Sequence, residues 1–310
     1  MKKVFVDGSA GTTGLRIYQR LEKRTDIERI TLPQQLRKDE TARKQAIQQA
    51  DIVFLCLPDE AARRAVELAE GSNAVILDTS TAHRTAPGWV YGFPELSKQH
   101  REVVQQAKRI AVPGCHASGF IALIAPLIQA GILSPTQPLS CHSITGYSGG
   151  GKAMIAQYEE QNRSSLLKAP RQYGLSQQHK HLKEMQAICG IAQPPLFSPI
   201  VADFYSGMEV TVPIFGHQLQ KNAGIEQIKA VYQEQYQGAV VQYQEQTEDG
   251  FLSAAALSGN DGMQIMVQGC EERILLVARY DNLGKGASGA AIQCMNLVLG
   301  QPETQGLELD

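Results

Sequence analysis

Cys115 lies where a predicted strand ends and a predicted helix begins. The surrounding sequence reads Pro113-Gly-Cys-His116, and an apolar helical pattern follows over Ala117–Ala130. At a helix N-terminus, the helix dipole and the unpaired N–H groups stabilise a thiolate. The same N–H groups can hold the oxyanion of a carbonyl bound to the sulfur. We therefore expect Cys115 to be a nucleophile and His116 to be only its neighbour; a buried structural cysteine is the alternative.

The sequence His179-Lys-His181, followed by Glu184, is the best candidate for acid–base chemistry. On a helix, His181 and Glu184 share a face because residues three positions apart are neighbours. A carboxylate there fixes the tautomer of an imidazole, as a general acid or base requires. The pattern leaves open a polar surface segment. It supports a metal site only weakly, because no further ligands lie nearby in the sequence, and we expect no metal.

A glycine-rich turn near the start of the chain is typical of dinucleotide binding. It follows an apolar strand and opens an amphipathic helix, with the spacing GxxGxxG rather than the commoner GxGxxG. The glycines let the backbone approach a pyrophosphate at the positive helix N-terminus, although a plain strand-to-helix turn is the alternative. We assign to the cofactor Gly8, Ser9, Ala10, Gly11, Thr12, Thr13 and Gly14.

The end of the second predicted strand bears on which nicotinamide cofactor binds. An NAD site usually places an acidic residue there for the ribose 2′-hydroxyl, whereas the 2′-phosphate of NADP favours a cation. This strand ends at Thr31-Leu32-Pro33, and the next charged residues are Arg37 and Lys38. The pattern favours NADP over NAD, with solvated surface cations as the alternative.

Two further polar segments follow predicted strands. Ser148-Gly-Gly-Gly-Lys152 is suited to bind a phosphate or to admit a nicotinamide against its backbone, and a flexible loop is the alternative. Its spacing is not that of a Walker sequence. Asp78-Thr-Ser-Thr-Ala-His-Arg84 ends at a cation that could hold a substrate carboxylate or phosphate, or form a structural ion pair.

Strand and helix patterns alternate over the first 115 residues. Such alternation predicts right-handed crossovers and a doubly wound, mostly parallel sheet of the Rossmann type. The predicted strands are Val4–Val6, Ile27–Leu32, Asp51–Leu57, Ala74–Leu77 and Arg109–Val112, and the helices are Thr12–Glu22 and Glu60–Glu70.

The pattern changes after about residue 137, where long strand-like segments have few helices between them. This predicts an α+β domain on a mixed or antiparallel sheet. The strand-like segments are Pro138–Tyr147, Phe197–Phe215, Ala239–Glu245 and Met263–Tyr280; the helical ones are Gln177–Ala187 and Ile225–Tyr236; the polar stretch Asn162–Tyr173 is predicted to be a mobile loop. We predict a dinucleotide-binding domain at 1–115, completed by a C-terminal helix within 287–310, and a catalytic and dimerisation domain at 116–286.

Composition limits the classes of partner. The 310 residues suffice for two domains. With 29 basic and 31 acidic residues, the net charge of −2 favours neither nucleic acid nor a membrane surface. No apolar run reaches the roughly 18 residues that span a bilayer, and no signal peptide is recognisable. Six scattered cysteines without a CxxC pair indicate reduced thiols, so we expect a cytoplasmic protein.

Together these motifs resemble the N-acetyl-γ-glutamyl-phosphate reductase family in its shorter form, within the aspartate-semialdehyde dehydrogenase superfamily. The resemblance spans nearly the whole chain. The motifs that carry it are Gly8–Gly14, Asp78–Arg84, Tyr91–Leu96, Pro113–Cys115, Gly146–Lys152, His179–His181 and Asp281–Gly289. The longer form of the family usually reads Pro-Gly-Cys-Tyr-Pro-Thr, where this chain has Pro-Gly-Cys-His-Ala-Ser.

The resemblance implies NADP(H), a nucleophile at Cys115 and a catalytic histidine at His179 or His181, without deciding between the two. It implies reduction of an acyl phosphate through a cysteine thioester, in arginine biosynthesis, by a homodimer or homotetramer. We assign Ser80, Gly149, Asn282, Lys285 and Gly286 to the cofactor, and Arg84, Ser118, Ser148 and Lys152 to the substrate.

Two rival functions remain open at this stage. A related reductase would act on aspartyl phosphate or N-acetyl-aminoadipyl phosphate by the same thioester chemistry. A non-catalytic dinucleotide sensor would use Cys115 as a redox switch, but it needs a resolving cysteine, and no sequence neighbour supplies one.

Overall fold

The computed structural model describes residues 1–220 and 223–309, which form two compact units. The first unit comprises residues 1–94, 98–114 and 287–307. The second comprises residues 95–97, 115–220, 223–286 and 308–309. Over these residues, no helix combines the length and the apolar character needed to cross a membrane.

The first unit is built on a parallel sheet flanked by helices. Its strands are β1 (Lys2–Asp7), β2 (Ile27–Ile30), β3 (Ile52–Leu55), β4 (Val75–Asp78), β5 (Val90–Tyr91) and β6 (Arg109–Ala111). Its first helices are α1 (Thr12–Glu22), α2 (Glu40–Gln49), α3 (Asp59–Leu68) and α4 (Lys98–Gln106). The strand order is β2-β1-β3-β4-β6-β5. The chain adds β2 on one side of β1 and β3 on the other, and doubly wound sheets bind their ligands at such a switch point.

Alternating side chains of the central strands fill two separate cores. Ile52 and Phe54 belong to one apolar cluster, whereas Val53 and Leu55 belong to another. Because successive strand residues point to opposite faces, this division means that both faces of β3 are covered. The continuous apolar run seen in the sequence is therefore a strand buried on both sides.

The second unit is built on a seven-stranded mixed sheet. Its strands are β7 (Ser140–Gly146), β8 (Arg171–Gln172), β9 (Leu196–Ala202), β10 (Met208–Phe215), β11 (Val241–Tyr243), β12 (Met263–Cys270) and β13 (Arg273–Tyr280). Its helices are α5 (Cys115–Gln129), α6 (Gly151–Glu159), α7 (Leu182–Cys189) and α8 (Ile225–Gln235). The strand order is β11-β12-β13-β10-β7-β9-β8, with β7 and β9 parallel and β10 antiparallel to β7. The predicted fold class is confirmed.

The last helix, α9 (Gly289–Val298), belongs to the first unit. Its buried residues include Ala290, Ile292 and Met295, which share an apolar cluster with Val4 of the central strand β1. The small residues of this helix allow it to lie close to the sheet. The chain thus returns to the first unit after completing the second.

Several predicted boundaries differ from the structure. The stretch Phe197–Phe215 is two strands, because a turn with Gly207 at φ +124° separates β9 from β10. Likewise, Met263–Tyr280 is the hairpin of β12 and β13. The predicted helix Gln177–Ala187 begins only at Leu182, because Gln177 has φ +57°, a left-handed conformation that no α-helix contains.

The segment predicted as a mobile loop, 162–173, is anchored to the second unit. It contains the short strand β8, which pairs with β9. Arg163 donates two hydrogen bonds to the carboxylate of Asp203, at 2.7 and 2.6 Å. The side chain of Leu167 is 2% exposed. A polar sequence concealed these anchors because the contacts are made with residues distant along the chain.

Candidate active site

Cys115 is the first residue of α5, and its side chain is partly exposed. The hydroxyl of Tyr280 donates to the carbonyl of Cys115 and accepts the N–H of Gly119 at 3.0 Å. A Cβ at position 119 would lie 2.7 Å from that hydroxyl, so only glycine leaves room for it. Tyr280 therefore fixes the first turn of α5, in which Cys115 lies.

The segment Gly284–Gly286 passes directly beside Cys115. A Cβ at Gly286 would lie 3.1 Å from the Cβ of Cys115, which is closer than Cβ atoms usually approach other atoms in proteins. In the same segment Lys285 is fully buried, and its Nζ donates to both carboxylate oxygens of Glu95, at 2.9 and 2.8 Å. We assigned Lys285 to the cofactor from the sequence; the structure places it in an ion pair that anchors this segment.

Three imidazole rings form a cluster in the second unit. The rings of His179 and His181 are nearly perpendicular, with centroids 4.7 Å apart, and His116 lies 5.6 Å from each. Nδ1 of His116 is 2.6 Å from the hydroxyl of Ser143, and Nε2 is 2.6 Å from the hydroxyl of Tyr173. His116 is thus a central member of the cluster, although the sequence suggested only a neighbour of Cys115.

His181 and Glu184 are brought together as the sequence predicted, although His181 precedes α7 rather than lying within it. Its Nε2 is 4.0 Å from an oxygen of Glu184, and both side chains are buried. The backbone N–H of His181 donates to Nδ1 of His179 at 3.2 Å. In this arrangement Nδ1 of His179 is an acceptor, whereas His181 faces a carboxylate.

The glycine turn after β7 is held by an asparagine. The amide nitrogen of Asn282 donates to the hydroxyl of Ser148 at 2.9 Å, and its oxygen accepts the N–H of Gly207 at 2.9 Å. A Cβ at Gly149 would lie 3.5 Å from the same amide. The predicted site residues Ser148, Gly149 and Asn282 are therefore neighbours. The glycine segment is an ordered turn that leads into α6, and it is not a flexible loop.

Two residues assigned to the substrate lie in contrasting surroundings. Lys152 is exposed near the start of α6. Ser118, in the first turn of α5, is fully buried. A substrate can therefore meet Lys152 from solution, whereas Ser118 belongs to the interior of the second unit.

In the first unit, the glycine turn after β1 has the geometry of a phosphate cradle. Gly8 has φ +90°, and a Cβ there would lie 2.2 Å from the carbonyl oxygen of Cys56. A Cβ at Gly14 would lie 2.3 Å from the carbonyl oxygen of Gly8. Gly11 caps α1 without a side-chain hydrogen bond, so the N–H groups of the first turn stay available. The buried hydroxyl of Thr12 has no hydrogen-bond partner within the described part of the chain.

A cavity of about 580 Å³ adjoins this turn, and it is lined by the cations Arg29, Arg37, Lys38 and Arg43. Arg43 pairs with the buried Asp7 at 2.8 Å. Burial raises the pKa of Asp7, although Arg43 opposes the rise. Arg37 and Lys38 are exposed at the rim. The cradle, the unpartnered hydroxyl and the cations fit a phosphorylated dinucleotide.

The turn after β4 is organised by Asp78, which is fully buried. Its carboxylate accepts the hydroxyl of Ser80 at 2.7 Å and contacts Nδ1 of His83 at 2.6 Å. Arg84 donates to the carbonyls of Val112 and Thr79, each at 3.0 Å. These contacts make Arg84 a brace between the ends of β4 and β6. Across the described residues, no His, Cys, Asp and Glu side chains gather as a metal site requires.

Sequence comparisons divide the chain in a similar way. Residues 3–104 match the family described as semialdehyde dehydrogenase, NAD binding domain, and residues 115–282 match semialdehyde dehydrogenase, dimerisation domain. An N-acetyl-gamma-glutamyl-phosphate reductase 2 from Nostoc sp. is 45% identical over 318 residues, covering 98% of this chain and 99% of the relative. An N-acetyl-gamma-glutamyl-phosphate reductase from Brucella ovis is 45% identical over 307 residues, covering 96% and 99%.

Solved structures agree on the fold. Aspartate semialdehyde dehydrogenase II from Vibrio cholerae, complexed with ASA, superposes with a TM-score of 0.72 at 16% identity, covering 97% of this chain and 98% of that one. Aspartate semialdehyde dehydrogenase with NADP from Candida albicans gives 0.67 at 15% identity, covering 96% and 98%. At such low identity these structures establish the fold, whereas the 45% relatives establish the family. The chain belongs to the N-acetyl-γ-glutamyl-phosphate reductase family, built from the two domains of the semialdehyde dehydrogenases.

Proposed function

We propose that this chain reduces N-acetyl-γ-glutamyl phosphate to the semialdehyde with NADPH, through a thioester on Cys115, as a step of arginine biosynthesis. The observation that carries the proposal is the position of Cys115 at the start of α5, in the same unit as a buried histidine–glutamate pair. Family membership supplies the substrate class. The rival substrates use the same chemistry, so an assay has to separate them.

The first step is acyl transfer to the thiolate. The sulfur of Cys115 attacks the acyl carbon, the S–C bond forms, the C–O bond to phosphate breaks, and phosphate leaves. The N–H groups of the first turn of α5 hold the oxyanion that develops on the carbonyl oxygen. Tyr280 and Gly119 keep that turn in place.

Bound NADPH supplies the hydride that reduces the thioester carbonyl. The resulting oxyanion receives a proton from the imidazole of His181, which takes the proton back as the C–S bond breaks. The semialdehyde then leaves, and Cys115 returns to the thiolate form. We assign this role to His181 because its buried imidazole lies beside the carboxylate of Glu184, whereas Nδ1 of His179 accepts a backbone hydrogen bond.

The glycine turn, including the hydroxyl of Thr12, would hold the pyrophosphate of the dinucleotide, and Arg37 and Lys38 would hold a 2′-phosphate. We expect the double variant R37A/K38A to raise KM for NADPH about 10- to 100-fold, because each charge-assisted hydrogen bond contributes roughly 1.5–3 kcal/mol, discounted for exposure. KM for NADH should change little. Steady-state kinetics with both cofactors checks this, with K44A as the control for an exposed cation outside the cavity. Equal changes for both cofactors would refute the assignment.

The substrate is tested in the reverse direction. Purified protein receives phosphate, NADP and one of three aldehydes: N-acetylglutamate semialdehyde, aspartate semialdehyde or N-acetyl-aminoadipate semialdehyde. Formation of NADPH is followed by absorbance. We expect the highest kcat/KM with N-acetylglutamate semialdehyde. Activity confined to aspartate semialdehyde would contradict the proposed substrate.

The match to a dimerisation domain indicates self-association, and we place the contact on the open face of the second sheet. Phe215 on β10 and Leu275 on β13 are 54% and 43% exposed. They point to the same face, since Pro213 pairs with Leu275 in the ladder. A second copy would cover these apolar side chains, giving the homodimer or homotetramer that we propose.

We expect the double variant F215D/L275D to dissociate into monomers, because buried carboxylates without partners are costly. Sedimentation equilibrium at micromolar protein measures the mass of wild type and variant. V103D is the matched control, since Val103 is equally exposed but belongs to α4 of the first unit. An unchanged mass for F215D/L275D would move the interface elsewhere.

All six cysteines are free thiols. Secreted proteins of this size commonly use their cysteines in disulfides, and reduced thiols persist in a reducing compartment. We therefore propose the cytoplasm as the location of this protein.

A further inference from the structure

His116 is held by hydrogen bonds at both ring nitrogens. Nδ1 meets the hydroxyl of Ser143 on β7, and Nε2 meets the hydroxyl of Tyr173, each at 2.6 Å. The ring is 2% exposed, and it also packs edge-on against Phe197, with centroids 5.3 Å apart. These contacts hold the imidazole in one orientation. His116 is therefore more than the sequence neighbour of Cys115 that we expected.

The ring remains neutral in the folded protein. Burial, together with the smaller effect of charge on the nearby His179, lowers the pKa of His116 to about 3. A neutral imidazole has one N–H donor and one acceptor nitrogen. Its two hydroxyl partners therefore differ: one hydroxyl donates to the ring, and the other accepts from it. If Tyr173 is the donating hydroxyl, its proton points at His116; if Tyr173 is the accepting hydroxyl, its proton points elsewhere.

Tyr173 connects this bond to the reaction site. Its hydroxyl is 2.6 Å from Nε2 of His116, the residue that follows Cys115. Burial raises the pKa of the Tyr173 phenol, and the charge of a thiolate at Cys115 adds to the rise. The Tyr173 ring also lies 6.0 Å from the ring of His179. The phenol therefore stays protonated beside the rings of His116 and His179. If Nε2–H of His116 donates to the phenol oxygen, the O–H of Tyr173 is left to donate elsewhere.

We propose that His116 is a positioning residue: Ser143 donates to its Nδ1, its Nε2–H donates to Tyr173, and the Tyr173 hydroxyl is thereby directed to the oxyanion formed on Cys115. This inference rests on the proposed thioester reaction and adds a donor to it. The oxyanion then receives hydrogen bonds from the helix N–H groups and from a phenol. Ser143 acts on Tyr173 through two successive hydrogen bonds, because it fixes the tautomer of His116.

The tautomer can be measured without any substrate. In protein labelled with ¹⁵N-histidine, the nitrogen shifts and their couplings to ring protons distinguish Nδ1–H from Nε2–H imidazole. We expect neutral His116 in the Nε2–H form at pH 7, with a spectrum assigned through loss of its signals in H116F. We expect S143A to shift His116 toward the Nδ1–H form. A wild-type Nδ1–H form or a charged ring would overturn the proposal.

Kinetics then tests whether the tautomer acts through Tyr173. We expect Y173F to lower kcat about 100-fold, as loss of one oxyanion donor does, with KM for NADPH unchanged. S143A should lower kcat about tenfold, because the tautomer lock is lost but the phenol remains. The double variant S143A/Y173F should be no slower than Y173F alone. A merely structural Ser143 would instead multiply the two losses and lower the melting temperature in both backgrounds, which would reject the proposal.

The two levels of the inference separate cleanly. Wild-type protein that reduces none of the acyl phosphates disproves the proposed function, while the ¹⁵N spectrum still decides whether His116 orients Tyr173. Wild-type activity with an Nδ1–H tautomer keeps the proposed function and removes the role of His116. H116F that retains wild-type kcat does the same.

Discussion

Replacing Cys115 with serine is expected to lower kcat by at least about 10³-fold while the protein still binds NADPH. The thiol lies at the start of α5, where helix N–H groups stabilise a thiolate. A serine hydroxyl in the same place stays protonated, so it cannot attack the acyl phosphate at a comparable rate. The cofactor turn lies in the first unit and is not altered by this substitution.

Turnover is measured with N-acetylglutamate semialdehyde, phosphate and NADP, and NADPH binding is measured by fluorescence titration. Cys270→Ser is the matched control, since Cys270 is also partly exposed but lies at the end of β12. Burial and nearby carboxylates raise the pKa of Cys56 to about 12, so that thiol should resist alkylation at neutral pH. Near-normal turnover of Cys115→Ser would rule out the thioester.

The second large effect is expected at His181. We expect H181N to lower kcat about 10²- to 10⁴-fold, the usual contribution of general acid–base catalysis, with KM for NADPH nearly unchanged. The reason is its buried pairing with Glu184, which favours the protonated imidazole needed when the oxyanion forms. We expect H179N to lower kcat only about tenfold, because loss of one neutral hydrogen bond costs roughly 1 kcal/mol.

E184Q separates charge from shape in the same pair. It keeps the size of the side chain and removes the negative charge beside His181, so we expect an intermediate loss of kcat. Melting temperatures of H179N, H181N and E184Q serve as the control for folding. If H179N proves slower than H181N, the roles of the two histidines are reversed.

The parts of the site that the sequence predicted are those with local signals. The glycine turn can be predicted because side chains are excluded at two of its positions. A side chain at Gly8 would meet the backbone of Cys56, and one at Gly14 would meet the backbone of Gly8. The position of Cys115 is readable because a Pro-Gly turn precedes an apolar helix. The doubly wound sheet follows from strand and helix periodicity alone.

The parts that the sequence did not predict depend on contacts between distant residues. His116 meets Ser143 and Tyr173 across 27 and 57 residues, so no spacing rule connects them. Lys285 lies in a glycine-rich segment that suggests a ligand, yet it pairs with Glu95 across 190 residues. A cation in a loop is ambiguous until the partner that neutralises its charge is known.

The thioester is tested most directly by a single-turnover measurement in the absence of phosphate. Protein is mixed with N-acetylglutamate semialdehyde and NADP, NADPH absorbance is followed, and the protein is then digested for mass spectrometry. We predict a burst of one NADPH per active subunit, followed by a slow phase, with an N-acetylglutamyl group on the peptide that contains Cys115. Absence of the burst and of any acyl group on Cys115, in protein that turns over normally when phosphate is added, would contradict the mechanism.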